Sequence, residues 1–176
     1  RAFWSFTRTF RDLGLPVPEI HRIDERLGIW LEDDLGDETL HRFVERGRDA
    51  ASGRPEAAAV AVYEQVVDLL PRFQVEGGQA IDFSVAWPRA EFDARAMHWD
   101  LCQFKYHFLR LVGVTFHEDR LEEDFHRLVG FLLGTGPGHF VYRDLQSRNV
   151  MVRSGAPWFL DYQGGRRGPL QYDVAS

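Results

Sequence analysis

Between residues 55 and 134 the apolar side chains recur at helical spacing in three long stretches, whereas strand-like runs are short and confined to residues 20–31 and 140–160. That distribution predicts an α+β chain in which helices carry the mass and short strands present polar residues at their ends. The first stretch follows Pro55, with Val60, Tyr63, Val66 or Val67, Leu70 and Phe73 forming one stripe before Gly77-Gly78 stops it. The second, residues 90–112, has Leu101, Phe104, Phe108 and Leu111 on one side and Trp99, Cys102, Tyr106 and Leu109 on another, which predicts a helix covered on most faces. Thr115 and Glu118 read as a capping box for the third, whose stripe is Leu121, Phe125, Leu128 and Leu132. The glycine-rich run at residues 134–138 ends it.

Ahead of these, Phe3, Phe6, Phe10 and Leu13 predict a helix that stops at Gly14, because Pro16 and Pro18 forbid continuation. Residues 20–23 and 27–31 read as a hairpin, and Asp37 as the cap of a short helix reaching about Glu45. A chain of 176 residues is long enough for a domain with a real core. Its net charge of −6 argues against a nucleic-acid partner, since neutralising phosphates takes a basic surface. No apolar run approaches the roughly 20 residues of a membrane span. Cys102 is the single cysteine and reads as a buried apolar filler, which leaves no internal disulfide and suits a reducing cytoplasm. No obligate protein partner is evident. The chain opens on Arg1 directly into Phe3, Trp4 and Phe6, and closes at Ser176 on what reads as the first turn of a helix, so a fragment is expected.

Chemistry concentrates near the C-terminal end. Asp144 and Asn149 lie five residues apart across a turn that opens into a strand, and Asp161 ends the next strand. Three oxygen-bearing side chains so placed can converge on one point, and oxygen donors suit Mg²⁺, which is held by one or two protein groups together with nucleotide phosphates.

The run from Phe140 to Val152, followed by Trp158-Phe159-Leu160-Asp161-Tyr162-Gln163, resembles the catalytic segment of the protein-kinase-like superfamily, in which an Asp is followed by an Asn and then a second Asp. It looks most like the aminoglycoside phosphotransferase and choline kinase group. The stretch from Asp161 through Gly164-Gly165-Arg166-Arg167 to Asp173 is similar to bacterial kinases of the anomeric hydroxyl of N-acetylmuramate and N-acetylglucosamine. Leu13 to Pro18 and Ile29 to Asp37 are similar to the end of the small-lobe helix and the hinge of those enzymes.

This resemblance implies a protein-kinase-like fold, with residues 1–36 closing a truncated small lobe and residues 37–176 forming a mostly helical large lobe. It implies ATP- and Mg²⁺-dependent transfer to a hydroxyl of a small molecule such as an amino sugar. Asp144 would orient and deprotonate the acceptor, with Arg143 beside it, and Asn149 and Asp161 would hold Mg²⁺. Asp173 and Tyr142 would support the catalytic loop, and the backbone of Glu32, Asp33, Asp34 and Leu35 would bind adenine. Gln163, Arg166, Trp99, Asp100 and Gln103 are candidate acceptor contacts, with core packing the competing role for Trp99 and a solvated loop charge that for Arg166. The seven histidines show no metal-ligand spacing and read as surface or packing residues.

Two departures stand out: the family usually has His where this chain has Tyr142, and often Gly where Arg143 stands. The family's phosphate-covering loop and nucleotide-binding Lys would precede residue 1, so residues 1–176 alone are expected to bind ATP poorly and to be inactive. Phosphorylation of an aminoglycoside or another small alcohol, and a catalytically inactive binding module, are the alternative readings.

Overall fold

The computed structural model describes residues 1–134, 136 and 138–175. Helix α1 (Ala2–Asp12) buries Phe6 and Phe10, which its period places one above the other. It ends because Gly14 adopts φ 69°, which lets the Gly14 and Leu15 N–H groups reach the carbonyls of Arg11 (2.8 Å) and Phe10 (2.9 Å). This pair of bonds satisfies the last carbonyls of the helix. The chain then forms the antiparallel hairpin β1 (Ile20–Asp24) and β2 (Ile29–Glu32).

Helix α2 (Leu40–Arg46) is capped by Thr39, not Asp37: the Thr39 hydroxyl accepts the Arg42 N–H at 3.2 Å. Helix α3 (Ala57–Pro71) buries Ala59, Val62, Val66 and Leu70, and Phe73 follows on the next turn. The expected stripe holds at Val66, Leu70 and Phe73, whereas Val60 and Tyr63 are exposed and Ala59 and Val62, one position earlier, are buried in their place. The segment is apolar on two adjacent faces, and periodicity alone does not choose between them. Gly77 and Gly78 do not stop the helix, which passes through a π-helical turn (Arg72–Gly77) into α4 (Gly78–Ala80). They permit close packing instead: a Cβ on Gly77 would lie 2.8 Å from the Phe10 ring, and one on Gly78 2.7 Å from the Phe140 nitrogen.

Helix α5 (Ala94–Phe104) starts four residues later than its apolar pattern suggests, because the Asp93 carboxylate caps it at the Ala96 N–H (2.9 Å). It is not covered on most faces. Trp99, Phe104, Tyr106 and Phe108 all stand about half exposed, which removes the core-packing role for Trp99, and Cys102 is only partly buried. After a π-helical turn (Lys105–Leu109), helix α6 (Glu118–Leu133) begins at His117 with no side-chain cap. The expected capping box fails because the Glu118 carboxylate is taken by Lys105 Nζ at 2.7 Å and by Arg110. Gly134 caps α6, whereas Thr135 and Pro137 of the glycine-rich run lie outside the described residues.

Strands β3 (His139–Val141), β4 (Val150–Arg153) and β5 (Ala156–Phe159) follow, then β6 (Arg166–Gly168) and helix α7 (Gln171–Ala175). β4 pairs with β5, and β3 pairs antiparallel with β6, Val141 standing opposite Arg166. Arg166 is therefore a buried strand residue and not a solvated loop charge.

The core joins both ends of the chain. Phe10 meets Phe73, Phe140 and Tyr162 edge-on at centroid distances of 4.9, 5.2 and 5.2 Å, and Phe73 lies 4.7 Å from Phe159. Such ring pairs contribute about 0.5–1.5 kcal/mol each beyond the area they bury. This cluster underlies the loops after β3 and β5 and fixes their positions. Among the described residues, no helix is long and apolar enough to cross a membrane.

Candidate functional site

The loop from Tyr142 to Asn149 is held from below by one buried carboxylate. Asp173 accepts the N–H groups of Tyr142 and Arg143, both at 2.9 Å, and the Gln74 amide at 2.9 Å. Burial raises its pKa and these donors oppose the rise. Tyr142 is fully buried and donates its hydroxyl to the Leu160 carbonyl, tying this loop to the strand end that precedes Asp161. Arg143 has φ 74°, in the left-handed region that favours glycine. That conformation explains physically why glycine suits this position.

Asp144 follows, half-buried. Asn149 folds back on it, its Nδ2 donating to the Asp144 carbonyl at 2.9 Å and standing 3.3 Å from Asp161 Oδ2. The Leu160 N–H donates to the Asn149 carbonyl at 2.9 Å, so the segment leading into Asp161 is registered on the segment carrying Asn149. Asp161 itself has φ 63°, a second left-handed non-glycine residue, and its other oxygen accepts from Gln163 Nε2. Strained backbone of this kind persists only where the surroundings over-determine it, and it clusters at functional sites. Asp144, Asp161, Gln163 and Gly164 line one cavity of about 560 Å³ together with Ala2, Phe3, Val85 and Trp87.

The electrostatics follow from that grouping. Burial, Asp161 and Asp100 raise the pKa of Asp144, against the lowering influence of Arg143 and Arg166. Arg143 pairs with Asp100 of α5 at 3.3 Å and covers the Phe92 ring. Arg166 is 6% exposed, and its Nε has no hydrogen-bond partner among the described residues. Burial and the neighbouring Arg143 both depress its pKa. Asp100 and Arg166 thus join the electrostatic field of Asp144. Trp99 packs under Arg95, its ring 5.1 Å from that guanidinium carbon, and Gln103 is exposed one turn beyond Asp100.

At the other candidate region, Asp33 accepts from Glu19 N (3.0 Å), bonds His21 Nε2 (2.9 Å) and gives its own N–H to the Glu19 carbonyl (3.0 Å). Its carboxylate and N–H are thus engaged at the open end of the hairpin. The Asp34 carboxylate accepts the Gly36 N–H at 2.8 Å, and Leu35 is partly buried. Glu32 Oε2 is buried without a partner among the described residues, and burial raises its pKa.

Two members of this arrangement were not singled out from the sequence. Gln74, which bonds both Asp173 and the Leu170 carbonyl (3.0 Å), shows only as a polar residue inside an apolar helical pattern. Trp87 lies in an irregular stretch with no motif around it.

The donor set fits a hard divalent cation. Asn149 spends its Nδ2 on the Asp144 carbonyl and the Asp161 carboxylate, so its amide oxygen makes neither of these bonds, and an amide oxygen and a carboxylate on adjoining segments are oxygen donors of the kind such a cation takes. One or two such oxygens complemented by water and phosphate is what Mg²⁺ takes.

Comparison with known proteins gives the same direction. The sequence model of the phosphotransferase enzyme family matches residues 1–176. The chain is 28% identical over 178 aligned positions to the N-acetylmuramate/N-acetylglucosamine kinase of Pseudomonas aeruginosa, covering 99% of this chain and 47% of that protein. It is 27% identical over 166 positions to the like-named kinase of Neisseria meningitidis serogroup B, covering 91% and 45%. Among solved structures, the ADP-bound aminoglycoside phosphotransferase APH(2'')-Ib superposes with a TM-score of 0.53 at 14% identity, over 98% of this chain and 58% of that one. A streptomycin-ATP ternary complex of a second aminoglycoside phosphotransferase gives the same values. These likenesses show the fold, the α+β protein-kinase-like one. The chain spans about half the length of the curated relatives it matches, 47% of the first.

Proposed function

The chain belongs to the phosphotransferase enzyme family, and from that premise we propose that the whole protein transfers the γ-phosphate of ATP to a hydroxyl of an amino sugar such as N-acetylglucosamine or N-acetylmuramate. The observation that carries this reading is the gathering of Asp144, Asn149 and Asp161 at one place, with Asn149 bonded to the first and 3.3 Å from the third.

Phosphoryl transfer through a loose transition state needs alignment and charge neutralisation more than covalent chemistry from the protein. In this reading the Asp144 carboxylate accepts the hydrogen bond of the acceptor hydroxyl, orients its oxygen, and takes its proton as the new bond forms. Asp144 is half-buried and faces two other acids, so its raised pKa makes it a stronger base than a free aspartate. Arg143 opposes the rise in the Asp144 pKa and pairs with Asp100. Asn149 and Asp161 would hold Mg²⁺, which when bound neutralises charge on the phosphate oxygens. Asp173 and Tyr142 fix the loop so that these side chains do not reorganise on binding.

Residues 1–36 would close the smaller lobe and 37–176 would build the larger, with adenine between them. Adenine recognition would fall to the main chain of Glu32, Asp33, Asp34 and Leu35, where the Asp33 N–H is already given to the Glu19 carbonyl. Gln163, Asp100 and Arg166 flank Asp144 on the acceptor side, and Gln103 extends that face by one helical turn. Trp99, held under Arg95, is a weaker acceptor contact in this arrangement. A cytoplasmic, ATP-supplied compartment suits the reaction.

The test is Mg²⁺-dependent ADP release by the whole protein over a panel of N-acetylglucosamine, N-acetylmuramate and aminoglycosides. Turnover of the acetylated amino sugars is expected. Turnover confined to aminoglycosides would refute the substrate class, and no turnover of any acceptor would refute the reading itself.

A further inference from the structure

At 80% exposure Trp87 is the most exposed of the large apolar side chains among the described residues. It lines the same cavity of about 560 Å³ as Asp144, Asp161 and Gln163. An exposed indole gains free energy when a ligand covers it, and this one borders a cavity that also carries two carboxylates and an amide.

The segment bearing it is pinned at both ends. On one side Phe83 is buried beneath the Arg167 guanidinium at 4.7 Å, the Ser84 N–H donates to Asp82 Oδ1 at 2.9 Å, and the Ala86 N–H donates to the Phe83 carbonyl at 3.1 Å. On the other side Arg89 Nε donates to Asp93 at 3.0 Å. Two backbone bonds to β6 follow, Arg167 N–H to the Ala90 carbonyl (2.9 Å) and Phe92 N–H to the Arg167 carbonyl (2.8 Å). Val85 and Ala86 pack against the core. The indole is thus presented from a fixed base, on a cavity that carboxylates and an amide also line.

That pairing selects a ligand with one apolar face and a polar rim. A pyranose ring has both: axial C–H bonds on one face and hydroxyl and acetamido groups around its edge. A flat indole supplies the apolar contact at little cost in side-chain freedom, and the acids and amide of the same cavity supply the hydrogen bonds. We propose that Trp87 is the platform on which the acceptor sugar lies, holding the ring so that one hydroxyl meets Asp144. The proposal rests on the phosphotransferase reading above and adds a positioning residue that sets acceptor recognition.

Kinetics of the whole protein test it, with N-acetylglucosamine varied at saturating ATP and ATP varied at saturating sugar. Trp87→Ala is expected to raise the sugar KM by about tenfold or more while the ATP KM stays within about twofold, because lost uniform binding appears in KM for the ligand that made the contact. Trp87→Phe should recover most of the loss, since it restores a flat apolar face. The exposed indole contributes little to the core, so the thermal unfolding midpoint of Trp87→Ala should match that of the unaltered protein. A sugar KM unchanged in Trp87→Ala overturns the platform, and a rise in the ATP KM instead seats the nucleotide there and overturns it equally. No sugar turnover by the unaltered protein would fell the phosphotransferase reading together with the platform, whereas normal turnover with an indifferent Trp87→Ala fells the platform alone.

Discussion

Replacing Asp173 by alanine removes the acceptor for three donors at once. The Gln74 amide keeps the Leu170 carbonyl at 3.0 Å, so it is not stranded. The Tyr142 and Arg143 N–H groups lose the partner that each holds at 2.9 Å, inside a region where Tyr142 is fully buried. A buried donor left unsatisfied costs about 1–3 kcal/mol, which makes the gross loss about 2–6 kcal/mol. Part of it is offset, because the carboxylate itself is costly to bury, as its raised pKa records. The expected loss is therefore in the lower half of that range, about 2–4 kcal/mol. With a urea slope of about 2 kcal/mol/M for a chain of this size, the midpoint should fall by about 1–2 M. The pH dependence gives a second reading. A carboxyl whose folded pKa is raised contributes stability that is fully present below its unfolded pKa and is lost as pH rises through the folded value. The gap between the unaltered protein and Asp173→Ala should accordingly widen as pH falls from neutrality through that pKa. A midpoint shift below about 0.25 M, or a gap that narrows on acidification, would refute the assignment of Asp173 as the brace of this loop.

The raised pKa of Asp144 puts the acid limb of kcat/KM above the ordinary aspartate value of 3.8, because only the ionised form accepts the hydroxyl proton. Asp100→Asn should move that limb to lower pH, since it removes a negative charge that raises the Asp144 pKa, and a limb that moves upward would contradict the electrostatics. Gly165→Ala should lower the melting midpoint by about 2–12 °C, from about 1–3 kcal/mol of overpacking at about 2–4 °C each. Its added Cβ would meet the ring of the fully buried Phe140 at 2.2 Å, and a melting scan unchanged by the substitution would show that the ring can step aside.

The candidate site was legible in sequence to the extent that its parts are near neighbours on the chain. Asp144, Asn149 and Asp161 lie on one loop and the end of the next strand, where short-range geometry already brings them together. Helix α1 and its stop at Gly14, the first hairpin, and the strands near residues 140, 150 and 158 were legible for the same reason, since turn chemistry and local periodicity set them. What depended on distant partners was not. Residues 90–92 looked helical but are drawn to β6 by backbone bonds to Arg167, and β6 itself is too short and too charged to show a pattern. Glu118 satisfies the spacing of a capping box, yet two cations from the preceding segment claim its carboxylate. Gly77 and Gly78 resemble a helix stop but serve the close approach of Phe10 and Phe140. Gln74 and Trp87 reach the site from helices and loops that the linear pattern gives no reason to bring there.

The most direct measurement is turnover of N-acetylglucosamine by the whole protein carrying Asp144→Ala, with ATP affinity followed in parallel by titration calorimetry. Loss of the acceptor base should lower kcat by about 10²–10⁴-fold, while ATP binds within about twofold of the unaltered affinity because Asn149 and Asp161 remain. A kcat within about tenfold of the unaltered protein would contradict the placement of Asp144 at the reacting hydroxyl, and with it the account of why this loop is held as it is.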